Sequence, residues 1–399
     1  MHKKRRRKKA MKKLFLPITI LLIIIGLYYF WNENNNQSTK KSNNTQSPIK
    51  ENQVKNKEIY NSIFKEYYDE AEKIVNKMTL EEKIGQLFLV RYNRSDIKNQ
   101  KDYFPGGYIL FAKDFENHTK ESIKQEIDDN QKISKYPLII GVDEEGGYVT
   151  RVSRYPSFRK EKFASPKYYY EQGGYELLEK METEKANLLK EIGINLNLAP
   201  VSDVSTSEND FIYNRAFGKP AQETAEFVEK MVEYANNNHI NSCLKHFPGY
   251  GNNKDTHTGI AIDNRTYKSF VESDFLPFKS GIKANVPSIL VSHNIISSMD
   301  KDYPASLSPI VIKELRENLG FTGIIMTDDL AMDAVKRYVE NKEAATKAIN
   351  AGNDMIITSD FIGMYQELQQ SVKEGKIKEE TINKAVLRII AWKYYSNIF

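Results

Sequence analysis

Beyond about residue 60, short apolar runs alternate with longer amphipathic stretches all the way to the C-terminus. The runs cover residues 88–91, 107–111, 137–142, 194–198, 242–244, 288–291, 323–326 and 354–357. They are too short for helices and are bounded by polar or turn-forming residues, so each reads as a buried strand. Residues 176–192, 221–236, 267–284 and 310–318 lie between them and space their apolar side chains as helices do. Strand and helix alternating many times predict a parallel α/β sheet.

Polar functional groups close almost every run. Lys113 and Asp114 follow the run at 107, Asp143 the run at 137, and Asp203 comes shortly after the run at 194. Lys245-His246, His293, Asp328-Asp329 and Ser359-Asp360 close the later ones. A TIM-like (β/α)8 barrel builds its active site at the C-terminal ends of its strands, so this pattern predicts that fold. A doubly wound open sheet is the alternative, but no Gly-x-Gly-x-x-Gly fingerprint supports a dinucleotide-binding version of it.

The N-terminus has a different pattern. Residues 1–13 hold nine Lys or Arg and no acid, and residues 14–31 are uncharged and mostly apolar. Eighteen such residues rise ~27 Å as a helix, about the thickness of a bilayer core. Tyr28, Tyr29 and Trp31 sit where an interfacial aromatic belt belongs, and the basic flank predicts a cytoplasmic side. The expected layout is a basic cytoplasmic segment (1–13), a transmembrane signal anchor (14–31), a flexible polar linker (32–58) and a catalytic domain (59–399). That layout places the domain outside the cell, at the membrane. A cleaved signal peptide is the rival, although no small-x-small cleavage pattern follows the apolar run.

Charge and cysteine content refine this reading. The chain carries 58 basic residues, nine of them in the first thirteen, so 49 remain against 53 acids. The body is mildly acidic and gives no argument for nucleic-acid binding. A single cysteine, Cys243, falls within a predicted strand and excludes an intramolecular disulfide framework.

The richest segment for chemistry runs from Lys245 to His257. It holds Lys245, His246, Asp255 and His257 around a loop carrying Gly249 and Gly251. The glycines predict a loop that can move. An Asp two residues before a His makes a proton-transfer pair, in which the carboxylate orients the ring and supports its charged form. The second candidate is Asp328-Asp329. Alternation along a strand lets only one of the two face the pocket, and the other is expected to cap the following helix near Ala331. A carboxylate nucleophile facing a proton donor at a barrel mouth is an arrangement suited to glycoside cleavage through a covalent intermediate.

These residues resemble family 3 glycoside hydrolases, specifically the single-domain β-N-acetylglucosaminidases of cell-wall turnover. The resemblance rests on Met78-Thr-Leu-Glu-Glu-Lys-Ile-Gly-Gln-Leu-Phe88, Val142-Asp-Glu-Glu-Gly-Gly147, Asn214-Arg-Ala-Phe-Gly218 and Lys245-His-Phe-Pro-Gly249. Asp255-Thr-His257, Pro304-Ala-Ser-Leu-Ser308, Gly323-Ile-Ile-Met-Thr-Asp328 and Ala351-Gly-Asn-Asp-Met355 continue it, in family order. It implies a retaining exo-hydrolase with Asp328 as nucleophile and His257 as acid/base, supported by Asp255. It also implies substrate contacts from Asp143, Arg151, Arg215, Lys245 and His246, with no metal or organic cofactor. Peptidoglycan-derived N-acetylglucosaminyl saccharides are the implied substrates, and the chain is expected to act as a monomer. Tyr250 and Tyr148 depart from the family pattern, standing where a second His and an Arg are common. A phosphorylase or a β-glucosidase on the same fold, and an inactive wall-binding protein, are the alternatives.

Overall fold

A computed structural model of the chain describes residues 62–97, 101–251, 261–332, 335, 338 and 343–399. Eight strands form one parallel sheet in the order β10-β1-β2-β3-β4-β5-β7-β9. They are β1 (Phe88–Arg91), β2 (Gly107–Leu110), β3 (Ile139–Val142), β4 (Leu196–Asn197), β5 (Asn241–Phe247), β7 (Ser288–Val291), β9 (Ile324–Thr327) and β10 (Ile356–Thr358). β10 pairs with β1, and a parallel bridge between Met326 and Met355 brings β9 towards β10, so the sheet curls into a nearly closed barrel. A small parallel pair, β6 (Ile262–Asp263) with β8 (Ile295–Ile296), lies outside that ring. The predicted TIM-like architecture is therefore present.

Local chemistry starts the elements where the pattern placed them. Thr79 opens the helix Leu80–Gln86 with a capping box: its hydroxyl accepts from Glu82 N and Glu82 returns the bond to Thr79 N. That helix feeds directly into β1. Leu290, Ile324, Met326 and Cys243 are buried together, whereas Leu244, Ile289, Val291 and Ile325 join a second apolar cluster with Val228, Met231 and Phe278. The second set faces the helices Ala221–Asn237 and Phe275–Lys283, so side-chain alternation along β5, β7 and β9 separates interior from helix layer.

The structure does not support the expected membrane location. Among the described residues no helix is long and apolar enough to cross a membrane. The apolar segment 14–31, and the tether 32–58 after it, lie outside the described residues.

Candidate active site

β3 and β5 supply the centre of the site. Asp143 directly follows β3, and Glu145 comes two residues later, on the same face if the strand geometry continues. Lys245, on β5, places its Nζ 2.6 Å from both Asp143 Oδ1 and Glu145 Oε1. Arg215 grips Glu145 with two prongs, Nη2 to Oε1 at 2.8 Å and Nε to Oε2 at 3.1 Å. Burial alone would raise the Glu145 carboxyl, but Lys245 and Arg215 overcome that and hold it far below the usual carboxylate range. Burial likewise works against the charge on Lys245, yet Asp143 and Glu145 keep its pKa above the ordinary lysine value. The site floor is thus a fixed row of alternating charges, not a set of proton donors.

His246 joins this row from the other side. Arg215 Nη2 lies 3.2 Å from His246 Nε2, and His246 Nδ1 lies 2.8 Å from Asp203 Oδ2. A guanidinium only donates, so Nε2 presents its lone pair and Nδ1 carries the proton to Asp203. Asp203 also accepts from His246 N at 3.1 Å and Tyr250 N at 2.7 Å. The ring therefore cannot turn without losing bonds at both ends. The Lys245–His246 peptide bond is cis.

Arg151 sits on a loop that Glu144 organises, accepting from Arg151 N and Val152 N at 2.7 Å each. Its guanidinium lies 5.3 Å from the Phe111 ring centroid, with Arg91 against the same ring at 4.1 Å. Arg151 Nε is buried with no hydrogen-bond partner among the described residues.

Asp328 follows β9, with its backbone N bonded to Val291 O at 3.0 Å and its Oδ1 accepting from Asp329 N at 2.8 Å. Asp329 points elsewhere. Its Oδ1 accepts from Ala331 N at 2.9 Å and Ser359 N at 3.2 Å, and burial raises its pKa. The backbone cap expected of one member of the pair is thus made by Asp329. His293 adds a link, with Nδ1 2.7 Å from Ser306 Oγ and Nε2 3.1 Å from Asp329 O.

The structure thus brings together Asp143, Arg215, Lys245 and His246, places Arg151 beside Phe111, and sets Asp328 at the end of β9. Asp255 and His257 lie outside the described residues. Sequence reasoning misses Glu145 as the hub of the floor, and it gives Asp203 no role. The signal for Glu145 was the alternation itself, since positions 143 and 145 share a face if the strand geometry continues. Tyr250 is buried, edge-on to His246 at 4.9 Å and to Phe211 at 6.0 Å, while Tyr148 is 78% exposed. Among the described residues no group of three or more His, Cys, Asp or Glu is placed to hold a metal ion.

A barrel of this kind, with charged and polar groups converging at the C-terminal ends of its strands, has the form of an enzyme active site. Residues 79–392 match the glycosyl hydrolase family 3 N-terminal domain, and the chain belongs to that family of glycoside hydrolases. It is 30% identical over 286 residues to a β-hexosaminidase of Methylobacillus flagellatus, covering 70% of this chain and 80% of that one. A family 3 β-N-acetylglucosaminidase from a Paenibacillus species superposes with a TM-score of 0.75 at 25% identity, over 80% of this chain and 63% of that one. The β-N-acetylhexosaminidase of Beutenbergia cavernae superposes with a TM-score of 0.71 at 26% identity, over 80% and 99% of the two chains.

Proposed function

We propose that the protein is a retaining exo-β-N-acetylglucosaminidase that releases terminal N-acetylglucosamine from saccharides such as peptidoglycan fragments. The observation that carries this reading is the charged floor joining Asp143, Lys245, Glu145, Arg215 and His246 at the barrel mouth where Asp328 ends β9. The curated relatives named β-hexosaminidase support the substrate class.

In the proposed cycle, the Asp328 carboxylate attacks the anomeric carbon while His257 gives its proton to the departing glycosidic oxygen. The C–O bond to the leaving group breaks as the bond to Asp328 forms. Asp255 supports the charged form of His257. His257, now neutral, then takes a proton from water, and the water oxygen displaces Asp328 to release the sugar with its original anomeric configuration. The floor binds the sugar. Lys245 spends two N–H bonds on Asp143 and Glu145 and keeps a third for a hydroxyl. Arg215 Nη1 and Arg151 Nε offer further donors, and Asp143 accepts. Charge-assisted bonds of this kind are strong when water is excluded.

A β-glucoside phosphorylase shares the fold, with a TM-score of 0.74 at 20% identity, so fold alone does not separate hydrolysis from phosphorolysis. The deciding assay offers an aryl N-acetyl-β-glucosaminide and the matching β-glucoside, each with and without phosphate. Free N-acetylglucosamine from the first substrate only, at a rate indifferent to phosphate, is the expected result. Sugar phosphate as the main product, or equal turnover of the glucoside, overturns the assignment. Asp328→Ala is expected to cut turnover by at least roughly 1000-fold, and full activity in that variant would remove Asp328 as nucleophile.

A further inference from the structure

His293 ties β9 to β7 just beyond the last paired residues of the two strands. Val291 pairs with Thr327, and Asp328 N continues the ladder to Val291 O at 3.0 Å. Two residues past that pair, the two chains bring His293 alongside Asp329. The imidazole is buried, with Nε2 3.1 Å from Asp329 O. A carbonyl oxygen only accepts, so Nε2 carries a proton and donates the bond. Nδ1 lies 2.7 Å from Ser306 Oγ, which holds the other edge of the ring.

The hold on His293 reaches back into the fold. Ser306 N donates to Ser292 O at 3.0 Å, and Ser306 O accepts from Asn353 Nδ2 at 2.8 Å. Asn353 Nδ2 also donates to Ala348 O at 2.8 Å, within the helix Ala344–Ala351. His293, Ser306 and Asn353 are all buried, so these groups have few partners besides one another and the chain of bonds is rigid. Asp329 is thereby fixed at its carbonyl by His293, and at its carboxylate by Ala331 N and Ser359 N. Its N–H, set by those holds, donates to Asp328 Oδ1 at 2.8 Å.

We infer that His293 is a positioning residue for the covalent step: by fixing Asp329 it aims the N–H that orients the Asp328 carboxylate. The inference rests on the reading of Asp328 as the nucleophile. His293 acts through Asp329 rather than on the sugar. A hydrogen bond to Oδ1 sets the rotation of the carboxylate, and with it the direction from which an oxygen can reach the anomeric carbon. An attacking atom displaced by about 1 Å loses on the order of 100-fold.

The test uses a dinitrophenyl N-acetyl-β-glucosaminide, whose acidic phenol departs with the bonding pair and needs no proton donor. Its kcat/KM then reports attack by the carboxylate, independently of acid assistance. His293→Gln and His293→Met are compared with wild type and Asp328→Ala. Circular dichroism, melting temperature and the Ki of N-acetylglucosamine are recorded for each. Both His293 variants give up the bond to Ser306, but glutamine keeps an N–H near the place of Nε2 and methionine does not. His293→Met is therefore expected to lose at least roughly 10-fold more kcat/KM than His293→Gln. The Ki should stay within about twofold of wild type in both, because the ground-state grip lies on the charged floor. Equal losses in the two variants, or a Ki that rises as far as kcat/KM falls, make His293 structural only and overturn the inference. Turnover preserved in Asp328→Ala removes the nucleophile reading, and the inference with it. Should His293→Met not fold, Ser306→Ala releases the ring from its other hold and must lower kcat/KM with the Ki kept. Unchanged kcat/KM in that variant overturns the inference as well.

Discussion

Glu145 carries more of the site than any residue whose chemistry is visible in isolation. It is almost fully buried and pairs with two cations at once, Lys245 and Arg215. Changing it to glutamine removes the charge while keeping the shape. Two buried cations would then share Asp143 and a neutral oxygen, and breaking a buried pair in this way costs about 3–5 kcal/mol. Glu145→Gln is therefore expected to lower the melting temperature by several degrees and to raise KM more than it lowers kcat, since the floor grips ground state and transition state alike. A variant with wild-type melting temperature and KM would show that the floor does not depend on this carboxylate.

The turn after β5 shows where local reading stops. Gly249 and Gly251 signal backbone freedom, and the sequence predicts a loop that can move. The structure adds a second role for both glycines: their missing side chains let the backbone lie on Asp274 and Arg265. Those partners come 14 to 25 residues later, so no local pattern could reveal them. The apolar run predicts a strand only over residues 242–244, but β5 extends over Asn241–Phe247. The polar Lys245 and His246 hid its end, because a barrel mouth lined with charge breaks the apolar run that marks a strand. The alternation of strands and helices, and the functional groups at the strand ends, were legible because each depends on residues adjacent in the chain. Gly320 gives a control for the turn. It has φ +72 with nothing near its Cβ position, whereas Gly249 has φ +122 and a carboxylate in contact. Gly320→Ala is expected to cost about 1 kcal/mol from backbone strain alone. Gly249→Ala should cost clearly more and also reduce activity, as measured by urea unfolding and turnover. Equal costs for the two would mean that the contact with Asp274 is soft.

At the scale of the whole molecule, the last helix, Glu379–Tyr395, ties the base of the barrel together. Lys393 Nζ donates to Gln86 Oε1 and Pro137 O, both at 2.6 Å, just ahead of β1 and β3. Trp392 Nε1 reaches Asn241 Oδ1 at the start of β5 at 2.9 Å. Both partners of Lys393 are neutral oxygens, and its side chain is fully buried. Burial without a counter-charge pushes its pKa down to about 7 from the ordinary 10.5. In the unfolded chain the lysine keeps its proton up to the ordinary value, so between about pH 7 and 10.5 the unfolded state holds more protons than the folded one. Stability from this group is therefore fully present above the upper limit and is lost as pH falls towards the lower one. The slope is at most about 1.4 kcal/mol per pH unit for one proton. Other groups also titrate in this range, so the measurement is a difference. Unfolding free energies of wild type and Lys393→Met should be compared from about pH 7 to 9.5, below the raised tyrosines Tyr92 and Tyr108. Wild type should gain on the variant steadily as pH rises, even if Lys393→Met is less stable overall for leaving Gln86 and Pro137 without a donor. Parallel curves would mean that Lys393 stays charged in the fold, and that the base of the barrel admits a counter-ion or water to it.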